Sequence, residues 1–249
     1  TGASNTAVGF NALSINTTGT RNIAIGALAY DASDTENDNI AIGYAAMTSN
    51  GAGAEYNIAI GNYSMDAAIT GDGNVGVGHN TLTVDTSGWY NVAVGHQSMA
   101  LNTTGAKNTA LGANTLEVNV DGDQNVAVGR NALALNTGAD NNVAVGYSAM
   151  AANTTGANNV AVGLQALDAN TTGTFNVAVG SGALGANATT SYNVAVGASA
   201  LGGCIADNNI AIGREAGASI TTGTRNVVIG NTAYDASDTE NDNLAIGYQ

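Results

Sequence analysis

Few residues of this chain could do chemistry. It has 2 histidines and 1 cysteine among its 249 residues. His79 and His96 occupy equivalent places in two successive copies of a repeat; they could stack as a two-histidine metal site, although a variable exposed corner explains them more simply. No Ser-His-Asp or Cys-His set has a spacing typical of nucleophilic catalysis. Gly76 and Gly78 lack the Lys-Ser or Lys-Thr of a phosphate-binding loop. The sequence therefore predicts a protein that is not an enzyme and needs no cofactor.

Two acidic segments of nearly identical sequence are candidate calcium sites. Calcium binds about six to eight oxygens, which carboxylates and carbonyls supply. The spacing is not that of an EF-hand, and neither segment contains a glycine turn, so a solvated acidic corner is the favoured interpretation and calcium the weaker one. The carboxylates concerned are Asp31, Asp34, Glu36 and Asp38 in the first segment and Asp235, Asp238, Glu240 and Asp242 in the second.

The one tryptophan, Trp89, stands beside Tyr90, directly before a recurring asparagine, and His96 lies just beyond the next glycine. Exposed aromatic rings at such corners can stack on sugar rings. We predict that Trp89, Tyr90 and His96 are receptor-contact residues. The alternative is that aromatic side chains at these corners only cover strand ends or grooves between subunits.

All of these residues belong to a short repeat. The pattern Asn-x-Ala-x-Gly, with small variations, recurs from Asn5 to Asn243 at a regular spacing, which is one residue longer before Asn57 and one residue shorter before Asn209. The fuller consensus is Asn-Val-Ala-Val-Gly-x-x-Ala-Leu-x-x-Asn-Thr-Thr-Gly-x-x, and we number its positions 1 to 17. Frequent Gly and Asn, and the lack of a helical period, exclude helix.

Each repeat predicts two short strands and two corners. Positions 2 to 4 alternate as a strand does, and the glycine at position 5 permits a sharp corner. Ala-Leu at positions 8 and 9 predicts a second, shorter apolar strand, and Asn-Thr-Thr-Gly is turn chemistry. Because strands of successive turns can pair in parallel, we predict an all-β fold, a parallel β-solenoid of about fifteen 17-residue turns. The asparagines at position 1 should then stack and hydrogen-bond side chain to side chain.

The repeat runs through the whole chain. Residues 1–249 are therefore predicted as a single continuous β-solenoid domain, and as a fragment of a longer fibre protein. Val or Ile at positions 2 and 4 points away from the alanine at position 3, which gives every turn an apolar stripe. Such a surface favours self-association. A side-by-side homotrimer fits, and a dimer is left open.

The charge balance argues against two classes of partner. The 19 acidic and 5 basic residues give a net charge of -14, whereas binding to phosphate needs clustered Lys and Arg. Nucleic acid and anionic lipid are therefore not expected partners. No run of 18 apolar residues is present, so we expect no direct membrane insertion by this segment.

The repeat resembles a known family. Asn91 to Gly95 and Asn22 to Gly26, with Ala-Leu between successive copies, are similar to the head repeats of YadA-like trimeric autotransporter adhesins, and the resemblance covers Asn5 to Gly247. It implies a left-handed parallel β-roll, three chains side by side, and adhesion to a host-cell surface protein or glycan from the outer membrane of a bacterium. The repeat is longer than the family's.

The Thr-Thr-Gly corner opens an alternative. Longer repeats with this corner resemble the shafts of phage tail-fibre and tail-spike proteins, which implies a virion tail fibre. Either resemblance implies an extracellular location. An ion- or ice-binding solenoid is a further alternative.

Overall fold

The computed structural model describes residues 2–32, 35–49, 53–67, 69–234 and 239–248, and these form strands and turns but no helix. No candidate for a membrane-crossing helix is therefore found in these ranges. The chain divides into two compact units, residues 1–124 and 125–249. Both units are built from one three-residue strand per repeat, formed by positions 2 to 4.

In the first unit the strands pair in parallel, each with its neighbours in sequence. They are β1 (Thr6–Val8), β2 (Ile23–Ile25), β3 (Ile40–Ile42), β4 (Ile58–Ile60), β5 (Val75–Val77), β6 (Val92–Val94) and β7 (Thr109–Leu111).

The second unit repeats this arrangement. Its strands are β8 (Val126–Val128), β9 (Val143–Val145), β10 (Val160–Val162), β11 (Val177–Val179), β12 (Val194–Val196), β13 (Ile210–Ile212), β14 (Val227–Ile229) and β15 (Leu244–Ile246). The prediction of an all-β parallel β-solenoid is confirmed, with about 14 turns in the described residues.

The strands keep their register across the two repeats of unusual length, which end before Asn57 and Asn209. Ile40 of β3 pairs with Ile58 of β4 across the longer interval, and Val194 of β12 pairs with Ile210 of β13 across the shorter one. Equivalent positions thus face each other in both places. The corners, and not the strands, accommodate the gained or lost residue.

The interior of each unit is narrow. Alanine at position 3 points inward and meets a leucine or methionine from position 9; Ala93 and Met99 of one turn, and Ala144 and Met150 of another, are fully buried. Because a small residue faces a large one in most described turns, the two walls of the coil can approach closely there.

The prediction of a second strand at positions 8 and 9 is wrong. Positions 6 to 11 form turns, in which residues at positions 7 and 9 have positive φ, as at Asn131 (60°) and Leu133 (50°). A strand needs negative φ at every residue, so left-handed residues at alternate positions bend the segment. Leu133 is nevertheless fully buried. Its burial offsets the roughly 1 kcal/mol that a left-handed non-glycine residue costs.

The glycine at position 5 ends each strand for a steric reason. At Gly163 φ is 140°, and a Cβ would lie 2.6 Å from the carbonyl oxygen of Gly180 in the next turn. A side chain here would therefore be strained by its own backbone conformation and would collide with the neighbouring backbone.

Two buried asparagine ladders line the coil. At position 1, Asn142 accepts a hydrogen bond from the backbone N–H of Asn159 (2.9 Å) and donates to the carbonyl of Gly156 (2.9 Å). Its side-chain contact with Asn159 is longer, at 3.3 Å. The predicted side-chain ladder is therefore mainly a side-chain-to-backbone ladder, because each Oδ1 receives the N–H of the following turn.

Side-chain-to-side-chain bonds also link successive turns at position 12. Asn119 donates from Nδ2 to Oδ1 of Asn102 (2.8 Å), and Asn170 does so to Asn153 (2.8 Å). These amides also donate to the carbonyl three residues later in their own turn. Buried amides with such partners satisfy backbone groups that the corners would otherwise leave unpaired.

Candidate functional site

An aromatic corner lies directly before β6. Trp89 and Tyr90 occupy positions 16 and 17, and their ring centroids are 5.2 Å apart at an angle of 62°. Trp89 is 42% exposed and Tyr90 is 59% exposed. Large aromatic side chains left this open on a protein surface are typical of contact sites. The structure thus brings together two of the three predicted receptor-contact residues.

Gly73, one turn earlier, makes room for this corner. Gly73 has φ 67°, and a Cβ on it would lie 2.5 Å from Cδ1 of Tyr90. The Tyr90 ring therefore lies over the glycine of the preceding turn. Asn141 and Asn158 hold the same position in the second unit with similar positive φ, so the backbone does not require glycine there. Glycine instead leaves the space that the Tyr90 ring fills.

Beside the aromatic pair lies a surface pocket of about 370 Å³. Its polar wall contains the carboxylate of Asp72 and the hydroxyls of Thr70 and Ser87. Oδ1 of Asp72 accepts a hydrogen bond from the backbone N–H of Glu55 (2.9 Å). Oδ2 has no hydrogen-bond partner in the described ranges and forms no ion pair there. We call Thr70, Asp72, Ser87, Trp89 and Tyr90 the corner pocket.

Lys107 contacts the same corner from the following turn. Its Nζ lies 4.4 Å from the centroid of the Trp89 ring, a cation–π contact. The pocket is lined by residues of the turn that carries Trp89 and of the turn before it, and not by Lys107. Lysine therefore contacts the indole from the following turn, whereas the pocket extends toward the preceding turn.

His96 lies at the other end of β6, after Gly95, and does not line the corner pocket. It stacks on His79 with centroids 5.5 Å apart and planes 5° apart. Tyr63 continues this row, 6.0 Å from His79. A contact between His96 and a receptor stays a prediction, and it would use a different corner from Trp89. Within the described ranges no three His, Cys, Asp or Glu side chains converge as metal ligands.

In the acidic segments, three of the described carboxylates have protein partners. The first is Glu36, which is 4% exposed; its carboxylate accepts hydrogen bonds from the Thr35 N–H (3.2 Å), the Thr35 hydroxyl (3.0 Å) and the Gly53 N–H (3.3 Å). Burial acts to raise the pKa of Glu36, but its hydrogen bonds outweigh burial and lower it. A carboxylate held in this way has less freedom to wrap a calcium ion.

The other two carboxylates with protein partners each pair with an arginine. Arg21 donates from Nε and Nη2 to both oxygens of Asp38 (2.6 Å each), and Arg225 forms the same pair with Asp242. These hydrogen bonds lower the pKa of both aspartates. Asp31 and Glu240 belong to no metal-like cluster of the described side chains. Asp34, Asp235 and Asp238 lie outside the described residues, so the calcium prediction stays a prediction.

Asp85 was not predicted from the sequence. It occupies position 12, where most described turns have asparagine, and it is fully buried. Oδ1 accepts the Gly88 N–H (2.9 Å), whereas Oδ2 has no hydrogen-bond partner. Burial raises the pKa of Asp85 to about 7, against the opposing hydrogen bonds from Gly88 and Asn102. The available signal was a carboxylate at a position where most described turns have asparagine.

The outer face of the strands is a second candidate surface. Side chains at positions 2 and 4 are half-buried or exposed in both units, and no turn carries a charged residue at positions 1 to 5. We call positions 2 and 4 the apolar stripe. Its most exposed members are Val8, Ile25, Ile60 and Leu111 in the first unit and Val162, Val196, Ile210, Ile212, Ile229, Leu244 and Ile246 in the second.

No protein-family model and no curated protein matches the chain, so its functional assignment depends on the geometry of these two surfaces.

Proposed function

We propose that this chain is a non-enzymatic structural and adhesive segment of an extracellular homotrimeric fibre that attaches to a host cell or surface. The observation that carries the proposal is the apolar stripe. A row of uncharged residues, mostly Val and Ile, is half-buried or exposed on every turn and has no covering element within its own unit among the described residues. Water contact with such a surface is unfavourable by about 25 cal/mol for each Å².

Copies of the same chain are the natural cover for this stripe. The stripe repeats with the spacing of the strands, so a second copy placed alongside presents apolar groups at matching heights. Three copies around a threefold axis can bury all of their stripes toward the axis, which gives a closed assembly. The resemblance to the trimeric adhesin heads supports this arrangement, and with it a left-handed winding of the coil.

Adhesion is favoured over catalysis by the surface that remains outside such a trimer. The corners carry the exposed aromatic side chains and the corner pocket, whereas the buried carboxylates and amides serve the ladders. A bacterial surface adhesin is the first proposal for the parent protein, with anchoring in the outer membrane. A phage tail fibre is the second, and the Thr-Thr-Gly corner favours it.

The threonines of that corner bear on the alternative of ice binding. At position 13, Thr154 donates its hydroxyl hydrogen to the carbonyl of Thr171 (3.0 Å), and Thr103 does so to Val120 (2.9 Å). These hydroxyls are donors within the coil, so they have only acceptor capacity left for water. This weakens the case for ice binding, and an ion- or ice-binding solenoid is kept as the third alternative.

Sedimentation of the purified chain tests the proposal. We expect a trimer, and we expect Val162→Asp, which places a charge in the stripe, to dissociate it. Thr172→Asp adds the same charge at an exposed corner and should leave the trimer intact. A monodisperse monomer of the unmodified chain at high protein concentration would remove the argument from the stripe. Adhesion is measured separately, by retention of fluorescent beads coated with the chain on bacterial and epithelial cells.

A further inference from the structure

We propose that the corner pocket is a saccharide site that takes a neutral pyranose ring. This inference rests on the proposed adhesive function only for its biological role, because the pocket itself is defined by five side chains of the first unit. Two properties support it: an aromatic platform held in place from several sides, and polar groups with unused hydrogen-bonding capacity beside that platform.

The platform is Trp89. Nζ of Lys107 lies over its ring, and the ring of Tyr90, which in turn lies over Gly73, meets it at an angle of 62°. An indole fixed in this way loses little conformational entropy when a ligand stacks on it. The C–H groups on one face of a pyranose carry partial positive charge, and they meet the negative face of the indole favourably.

The polar groups suit sugar hydroxyls. Asp72 is fixed by the bond from the Glu55 N–H to its Oδ1, so its unpaired Oδ2 is a positioned acceptor. Ser87 is exposed and its hydroxyl has no hydrogen-bond partner in the described ranges, which leaves a donor and an acceptor beside Trp89. A carboxylate that accepts from a ligand hydroxyl makes a charge-assisted hydrogen bond, stronger than a neutral one.

Charge selects among sugars. Asp72 lines the pocket and Glu55 precedes it by one turn, while the nearest described cation, Lys107, is held against Trp89. The net charge of -14 adds to the negative potential. A sialic acid or a sulfated sugar would therefore be repelled, and a neutral hexose or N-acetylhexosamine would not.

A quaternary ammonium ligand is the main chemical competitor, since aromatic rings beside a carboxylate also attract cations. Lys107 argues against it. The ammonium group already at the Trp89 ring would oppose a second cation near the same ring, and hydroxyl groups in the wall offer nothing to a methylated ammonium.

Trp89 is the only tryptophan of the chain, so its fluorescence reports on this pocket alone. We would titrate the whole protein with methyl glycosides of galactose, glucose and mannose, with N-acetylglucosamine, with N-acetylneuraminic acid and with choline. The proposal expects a saturable change with at least one neutral sugar and none with the acidic sugar at the same concentration. A response to choline alone, or to no compound, overturns it.

Calorimetry with the sugar that binds then assigns the residues. Asp72→Asn keeps an oxygen that can accept from the Glu55 N–H. Asn37 and Asn241 hold the same position in other turns, so the variant should fold. Its affinity for the sugar should fall roughly tenfold or more. Trp89→Ala should abolish binding. Gly73→Asn should displace the Tyr90 ring and weaken binding. Phe175→Ala removes an exposed aromatic ring from position 17 in the second unit and should change nothing.

The two proposals fail separately. If coated beads adhere to cells and Trp89→Ala and Asp72→Asn adhere equally well, the saccharide site is wrong and the adhesive function stands. If the sugar binds in solution but the beads adhere to no cell, the adhesive function is wrong and the site stands.

Discussion

Replacement of Asp85 by asparagine should stabilise the protein at alkaline pH and leave its stability in acid nearly unchanged. The pKa of Asp85 rises from 3.8 to about 7 on folding because the carboxyl is buried and Oδ2 lacks a hydrogen-bond partner. The folded state therefore holds a proton that the unfolded state releases. The resulting stability is complete below pH 3.8 and is lost as the pH rises to about 7.

The size of the effect follows from the same shift. Each pKa unit corresponds to about 1.4 kcal/mol, so ionised Asp85 costs the fold about 4 kcal/mol above pH 7. An asparagine at this position cannot ionise, and its amide can donate to the carbonyl of Gly88 as Asn102 does to Gly105 (3.0 Å). We expect Asp85→Asn to gain about 4 kcal/mol at pH 9 and less than about 1 kcal/mol at pH 3.

Urea unfolding followed by Trp89 fluorescence measures this difference, since Trp89 belongs to the same turn. Comparison of variant and wild type at each pH cancels the contributions of all other carboxylates, including the lowered pKa values of Asp38 and Asp242, which act in the opposite direction. Asp121→Asn, at an exposed corner, controls for net charge. An equal gain from Asp85→Asn at pH 3 and pH 9 would refute the reasoning.

Substitutions of two corner glycines should differ in their effect on stability. Gly163→Ala should destabilise the protein by about 3 kcal/mol or more, because strain at positive φ adds to a collision with the Gly180 backbone. Gly182→Asn is the control, since a Cβ there meets only one atom, at 3.8 Å, and it should unfold at nearly the wild-type urea concentration. Similar urea midpoints for the two variants would contradict the steric argument. Removal of calcium with a chelator should shift the melting temperature by a few degrees at most, because the Glu36 carboxylate already has protein donors; a large drop would instead make the acidic segments metal sites.

The repeat was enough to predict the strands. Period-two alternation at positions 2 to 4 identified all of the strands now described, and the regular spacing of the repeat fixed their parallel order. The structure shows that their register is kept where the interval changes, because Val and Ile stay outside and Ala inside. The alternation also predicted an apolar stripe at positions 2 and 4, and the structure shows that position 3 is the buried side of most strands.

The bent backbone at positions 8 and 9, where a second strand was expected, could not be predicted in the same way. Leucine at positive φ is unfavourable by itself, so no local propensity indicates a bend at Leu133. The bend exists because stacked turns bury that leucine and pair its backbone with the next turn, as in the bond from the Leu133 N–H to the Ala149 carbonyl (3.1 Å). Such stabilisation belongs to the stack and is invisible in one repeat.

Only part of the candidate site was predicted, because its residues come from two successive turns. Trp89 and Tyr90 attract notice as neighbouring aromatic residues, but the pocket also needs Gly73 and Asp72, which lie one turn earlier in the sequence. His96 is close to Tyr90 in sequence and yet lies at the opposite end of the strand. Only the coil decides which neighbours in sequence are neighbours in space.

The register of the strands also limits how such a gene can change. Each turn bonds to residues one repeat away, so loss or gain of a whole repeat returns every ladder to an equivalent partner, whereas a frame-preserving insertion of one codon inside a strand would turn the apolar stripe inward. Irregular lengths are accordingly found only in corners. Length is therefore a heritable quantity that changes in steps, and each added repeat moves whatever the chain displays by one strand spacing, about 4.8 Å.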